Sequence, residues 1–203
     1  PVFLDVDRDT LGLSPLAVNN FLTGHAERRE KGIFNRRTGK RIAAILPMHT
    51  FGHPCRIEQL CVLGKEWGIP VVEDAAEALG SRAGRRHCGT FGLMGVYSFN
   101  GNKIITCGGG GAISSADVEL AARAKHLTTT AKVPHPWAFV HDEVGYNFRM
   151  PNLNAALACA QLERLPALLA DKRLLAEAYR NIFQAATGAI FCVSPKAAPA
   201  ITG

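Results

Sequence analysis

The sequence predicts an α/β fold of three layers around a mostly parallel sheet, and three observations carry that expectation. Strand and helix signals alternate along the chain without internal repeats or low-complexity tracts. Two apolar runs, residues 42–47 and 69–72, are nearly continuous, the pattern of strands covered on both faces. At 203 residues, 47% hydrophobic and 20% charged, the chain is long enough to bury one good α/β core.

Residues 2–6 read as the first strand. Ser14-Pro15 is an N-cap followed by an N1 proline and opens a short helix reaching Leu22. Seven basic residues between Arg28 and Arg41 read as a solvated loop, with attraction of an anionic substrate such as a sugar diphosphate nucleotide as the functional alternative. After the strand 42–47 comes a helix over 56–67, where Ile57, Leu60, Cys61 and Gly64 recur at helical spacing and Gly68 stands past the end. Its partner strand is 70–73. Residues 81–92 hold Gly84, Gly89 and Gly92 and read as a turn-rich excursion before a strand at 96–99.

The run Gly108 to Gly111 permits a hairpin beside the Lys103 turn and leads into a short strand at 112–114. It lacks the ending of a P-loop and the spacing of a dinucleotide fingerprint. Ser115 is expected to cap a helix carrying Leu120, Ala124 and Leu127 on one face. Pro134 and Pro136 mark 128–141 as an extended connector. A helix from Asn152 runs toward Leu165, Pro166 interrupts it, and a second helix follows over 167–184.

The formal charge of +6 is scattered; no helix concentrates it and no aromatics interleave with it, so nucleic-acid binding is not expected. Six cysteines without paired metal-ligand spacing read as reduced thiols, which places the protein in the cytoplasm. No apolar stretch is long enough to span a membrane. The N-terminus has neither a basic leader region nor an initiator methionine, so the chain is expected to start inside a longer protein.

The chemistry concentrates at Lys103, in a turn just ahead of the four glycines, and at Glu73-Asp74, where a buried strand ends. A lysine amine can form a Schiff base with an aldehyde cofactor and, once displaced, can move a proton between carbon centres. A carboxylate that keeps a pyridine nitrogen protonated is its expected companion, and Asp74 fits that role. Ser98, five residues before Lys103, offers a hydroxyl to a phosphate. Together these point to pyridoxal phosphate. His49 and His53 follow the strand 42–47, near the face where ligands bind in open α/β sheets, and His49 is the candidate substrate contact. No metal site is expected, because no third ligand falls at a convincing spacing.

The segments VVEDAAEALGS, GTFGLMGVYSFNGNKIITCGGGGAI and DEVGYNFRMPNLNAALACAQLERL resemble the DegT-type family of nucleotide-sugar aminotransferases. Within it, NGNKIITCGGGG and MHTFGHP are most similar to the subgroup that aminates keto-sugar nucleotides for legionaminic-acid-like and bacillosamine-like sugars. The resemblance implies the large domain of the fold-type-I pyridoxal-phosphate aminotransferases over residues 1–188, with 189–203 starting a truncated small C-terminal domain or forming an unrelated tail. It implies an amino-acid donor, glutamate, and a nucleotide-linked keto sugar of the 4-keto-6-deoxy type as acceptor. It implies that Ala76 lies under the cofactor ring, that Glu77, where much of the family has glutamine, contacts the cofactor, and that Asn147 reaches the phosphate of a neighbouring subunit in a homodimer. Family members are about twice as long, and the region before Pro1 normally brings a small-residue phosphate loop and a ring-covering aromatic. The alternative of a different class is therefore a non-catalytic segment, structural or only cofactor-binding.

Overall fold

The computed structural model describes residues 1–184 and residue 188. The first helix, α1 (Pro15–His25), starts where expected: Ser14 Oγ accepts the Ala17 N–H at 3.4 Å and Pro15 takes the N1 place. It presents Val18 and Leu22 to the core. Helix α2 (Ile57–Trp67) stops at Gly68, which adopts φ 67 and sends its N–H back to the carbonyls of Gly64 and Lys65. Ile57 and Leu60 are fully buried against Ile45, Ile69 and Val71.

The basic stretch departs from expectation. It opens with an antiparallel hairpin, β1 (Ala26–Arg29) and β2 (Gly32–Asn35). Charge disguised a strand pattern in which Ala26 and Ile33 are buried while Arg28 and Arg29 stand over aromatic rings. Arg28 stands 5.1 Å from the Trp67 ring centre and donates to the Glu66 carbonyl; Arg29 lies 4.7 Å from that of Phe34. The expected first strand at 2–6 is also corrected: among the described residues it forms a single bridge, between Val6 and Leu13, and Phe3 is exposed with no described strand beside it.

The central sheet orders β3 (Val72–Asp74), β6 (Met94–Ser98) and β7 (Gly111–Ser114). β3 and β6 run parallel, with Val72 opposite Met94 and Asp74 opposite Val96. The expected strand 42–47 and the residue after it run beside β3 and the residue before it through parallel bridges, Ile45 to Val71 and Met48 to Asp74, so this part of the expected parallel sheet is present as a bridged segment. β7 returns antiparallel to β6, pairing Ser98 with Gly111, which makes the sheet mixed. Between β3 and β6 the chain makes a small hairpin, β4 (Arg82–Ala83) and β5 (Arg86–His87), inside the expected turn-rich excursion.

The loop between β6 and β7 carries Lys103. It rests on a second core cluster in which Phe99, Ile105 and Cys107 pack with Ala158 of α4 (Asn152–Glu163). Helix α5 (Leu165–Gln184) begins at once, and Pro166, expected to break the preceding helix, sits in the first turn of this one, where its missing N–H costs nothing. Residues 189–203, with the expected boundary to a second domain, lie outside the described residues.

Helix α3 (Val118–Thr128) is capped by Asp117, not Ser115: Asp117 Oδ1 accepts the Leu120 N–H at 3.0 Å, while Ser115 Oγ donates to the Leu93 carbonyl. Asp117→Ala is expected to destabilise the protein by about 1 kcal/mol, read as a lowered thermal midpoint, and Ser115→Ala to leave α3 helicity unchanged.

Candidate active site

Alternation along β3 sorts its two acids to opposite surroundings. Glu73 is fully buried and Asp74 half-buried. Glu73 Oε2 accepts from His49 Nε2 at 2.9 Å and from the Gly89 N–H at 2.7 Å; Oε1 accepts the Phe91 and Gly92 N–H groups at 2.6 and 2.7 Å. Burial pushes this carboxyl up, but the His49 ring and the three backbone donors together outweigh it and hold the group below its ordinary value. Gly92 is obligatory here, since a Cβ would come within 2.4 Å of the Val71 carbonyl oxygen.

The substrate role expected for His49 is therefore corrected. Its side chain has no exposure, and its other nitrogen, Nδ1, accepts the Cys55 N–H at 3.3 Å. The Nε2–H tautomer satisfies both contacts, so the ring is a fastener between two loops and has no face left for a ligand. Burial also pushes the neighbouring thiols Cys55 and Cys88 up to about 12, which makes them inert core groups.

Asp74, Ser98 and Lys103 do come to one edge of the sheet. Asp74 ends β3 and Ser98 ends the parallel neighbour β6, so both project from the carboxyl ends of adjacent strands. Asp74 Oδ1 accepts the Ala76 N–H at 3.0 Å, and among the described residues Oδ2 has no hydrogen-bond partner. Ser98 Oγ accepts the Asn100 N–H at 3.3 Å, which leaves its hydroxyl hydrogen free to donate. Lys103 Nζ donates to Glu77 Oε1 at 3.3 Å, with 15% of the lysine side chain and 34% of the glutamate exposed.

Glu77 is a junction. Its other oxygen, Oε2, accepts the Phe51 N–H at 2.9 Å. Phe51 is held at φ 54 and ψ 23, a left-handed conformation that costs a non-glycine residue roughly 1–3 kcal/mol. Gly52 follows at φ 79, where a Cβ would approach the Glu77 carbonyl oxygen to 2.7 Å. The tight turn 50–52 thus fits against the turn after β3. Sequence reading noted Glu73 only as half of the acid pair with Asp74, without its clamping role, and did not single out Phe51. An acid directly continuing the apolar strand run 69–72 was the available signal for the role of the first; for the second there was none, because a positive φ on phenylalanine is set by contacts distant in sequence.

Asn147 is exposed on an antiparallel bridge to Thr129, and its side chain joins none of these groups among the described residues. A separate cluster, His126, Asp142 and Glu143, brings three potential ligand atoms within 4.8 Å of one another, but Arg123 already engages both Glu143 oxygens. The five described cysteines are unpaired, and no described helix is long and apolar enough to cross a membrane.

Among the described residues, an amine with a single carboxylate partner, a carboxylate with one oxygen free and a hydroxyl with its proton free, gathered at parallel strand ends, suit the reactive and anionic groups of pyridoxal phosphate. The α/β fold is of the aminotransferase type. The chain belongs to the DegT/DnrJ/EryC1/StrS aminotransferase family, which it matches over residues 1–200. It is 35% identical over 181 residues to GDP-perosamine synthase of Escherichia coli O157:H7, covering 89% of this chain and 45% of that protein. Among solved structures it is similar to PseC of Helicobacter pylori, an aminotransferase involved in the biosynthesis of pseudoaminic acid, with a TM-score of 0.79, 26% identity and coverage of 92% and 46%. DesI, determined with its TDP-sugar product, gives a TM-score of 0.77 at 29% identity, with coverage of 94% and 44%. The chain thus spans somewhat less than half the length of the relatives it matches.

Proposed function

We propose that the protein carrying this chain is a pyridoxal-phosphate-dependent aminotransferase that moves an amino group from an amino acid, glutamate, to a nucleotide-linked 4-keto-6-deoxy sugar. One observation carries the reading: Lys103 Nζ and the unpartnered Asp74 Oδ2 stand at the carboxyl edge of parallel strands in a chain of this family. Sugar-nucleotide relatives such as GDP-perosamine synthase support the acceptor class.

Bound pyridoxal phosphate would supply an aldehyde for amine condensation and a ring that delocalises the electron pair left by C–H cleavage. Lys103 Nζ, as a free amine, takes the proton from the donor's Cα and later delivers one to the sugar carbon that becomes the amine-bearing centre. Glu77 holds that amine between transfers. Asp74 keeps a proton on the ring nitrogen through its free oxygen, while Oδ1 stays tied to the Ala76 N–H, which fixes the carboxylate plane. Ala76, half-buried beside it, offers a small surface for the ring, and the Ser98 hydroxyl donates to the phosphate. Asn147 completes the phosphate site of a second subunit, so the active form is a homodimer. We also place the boundary to a small domain near Gly188 and the enzyme in the cytoplasm.

The test is amination of GDP-, TDP- and UDP-linked 4-keto-6-deoxy sugars by the full-length protein with glutamate, followed by mass spectrometry of the sugar and release of 2-oxoglutarate. Asp74→Asn keeps the acceptor for the Ala76 N–H and removes only the charge. A fall in kcat of about 100-fold or more, with an unchanged thermal midpoint, is expected. Undiminished turnover in that variant would rule out Asp74 as the ring-nitrogen partner.

A further inference from the structure

Phe51 combines three features. Its backbone lies in the left-handed region at φ 54, the residue is 73% exposed among the described residues, and its N–H is bound to Glu77, the carboxylate that also holds Lys103 Nζ. A bulky residue keeps a positive φ only where its surroundings over-determine it. Core packing among the described residues gives no reason for phenylalanine here, because so little of the residue is covered by them. The turn itself is set by the Glu77 contact, by Gly52 and by the Thr50 hydroxyl, which donates to the Leu11 carbonyl at 2.9 Å. Glycine at position 51 would supply the same N–H without strain.

We propose that Phe51 is a specificity-determining residue whose ring receives the apolar face of the keto sugar while the carbonyl carbon is presented to Lys103. The proposal rests on the keto-sugar reading above. Hexopyranose rings carry one C–H-rich face, and a 6-deoxy sugar adds a methyl group, so an exposed aromatic is the matching surface. Glu77 makes the placement specific. One carboxylate fixes both the amine and the backbone from which the ring springs, so the platform and the reacting nitrogen are held in register by a single side chain.

The experiment compares wild type with Phe51→Gly and Phe51→Asn, both of which tolerate the left-handed backbone, in the full-length protein loaded with pyridoxal phosphate. The probes are glutamate alone, followed by the visible absorption of the cofactor, and glutamate with GDP- or TDP-linked 4-keto-6-deoxy sugars. The KM for the sugar should rise about tenfold, more than kcat falls. The rate with glutamate alone should stay within about twofold of wild type, since a sugar platform does not touch the donor step. The thermal midpoint should equal or exceed that of wild type, because strain is relieved. An unchanged sugar KM overturns the proposal. So does a lowered thermal midpoint or a shift to monomers in sedimentation, either of which would make the ring a packing residue. A wild-type protein that processes glutamate but aminates none of the sugars removes the keto-sugar reading, and the proposal with it; the wild-type rate separates that failure from the others.

Discussion

Lys103→Ala is expected to reduce kcat/KM at least about 1,000-fold in the full-length protein, with the visible absorption of lysine-bound pyridoxal phosphate lost at the same time. The loss would be chemical and not a loss of fold. The lysine's ion pair with Glu77 is partly exposed, and pairs of that kind contribute about 0–1 kcal/mol. The loop around it is fixed independently, by Ile105 and Cys107 in the second core cluster, by the Cys107 N–H on the Phe99 carbonyl and by Asn154 on the Cys107 carbonyl. Alanine removes the amine and leaves those supports intact. The check is a pair of measurements on one preparation, turnover and thermal midpoint. Retained turnover in Lys103→Ala would dismiss the lysine as the proton carrier.

That prediction was legible in the sequence because Lys103, Asp74 and Ser98 are placed by local signals. Each sits at a strand end or in a glycine-bounded turn, and such boundaries are written in neighbouring residues. The same holds for the start of α1 at Ser14-Pro15 and the end of α2 at Gly68. Elements that depend on distant partners were not legible. The β1–β2 hairpin hides behind its arginines, whose aromatic supports include Trp67, far along the chain. Residues 2–6 have a strand's composition but no strand beside them among the described residues. His49 was placed correctly at the end of its strand segment, yet its partner Glu73 is 24 residues away, and nothing local says whether an imidazole turns toward a ligand or into the core.

Glu73→Gln should destabilise the protein by about 3 kcal/mol, roughly 6–12 °C in thermal midpoint, although the substitution changes no volume. The carboxylate accepts four hydrogen bonds, from His49, Gly89, Phe91 and Gly92, and has no exposure to water. A glutamine amide turns two acceptor positions into an NH2 group facing donors, so at least one buried N–H is left unpaired in either flip. Restoring the contacts would require His49 to rotate, and its Nδ1 is already committed to Cys55. The pH dependence gives the prediction a sign. Because the folded-state pKa of Glu73 lies below that of the unfolded chain, its stabilising contribution is complete at neutral pH. It is lost as the pH falls below about 4 and through the depressed folded value. Wild type should therefore lose stability steeply on the acid side, and Glu73→Gln should start lower and fall less. Acid and urea titrations of the two proteins, followed by circular dichroism, measure both slopes. Parallel acid limbs would show that other carboxylates govern acid unfolding and that Glu73 is held together by its neighbours more than it holds them. The predicted convergence at low pH would establish the buried carboxylate as the clamp that fastens the His49 loop, and with it the Phe51 turn, to the strand that ends at Asp74.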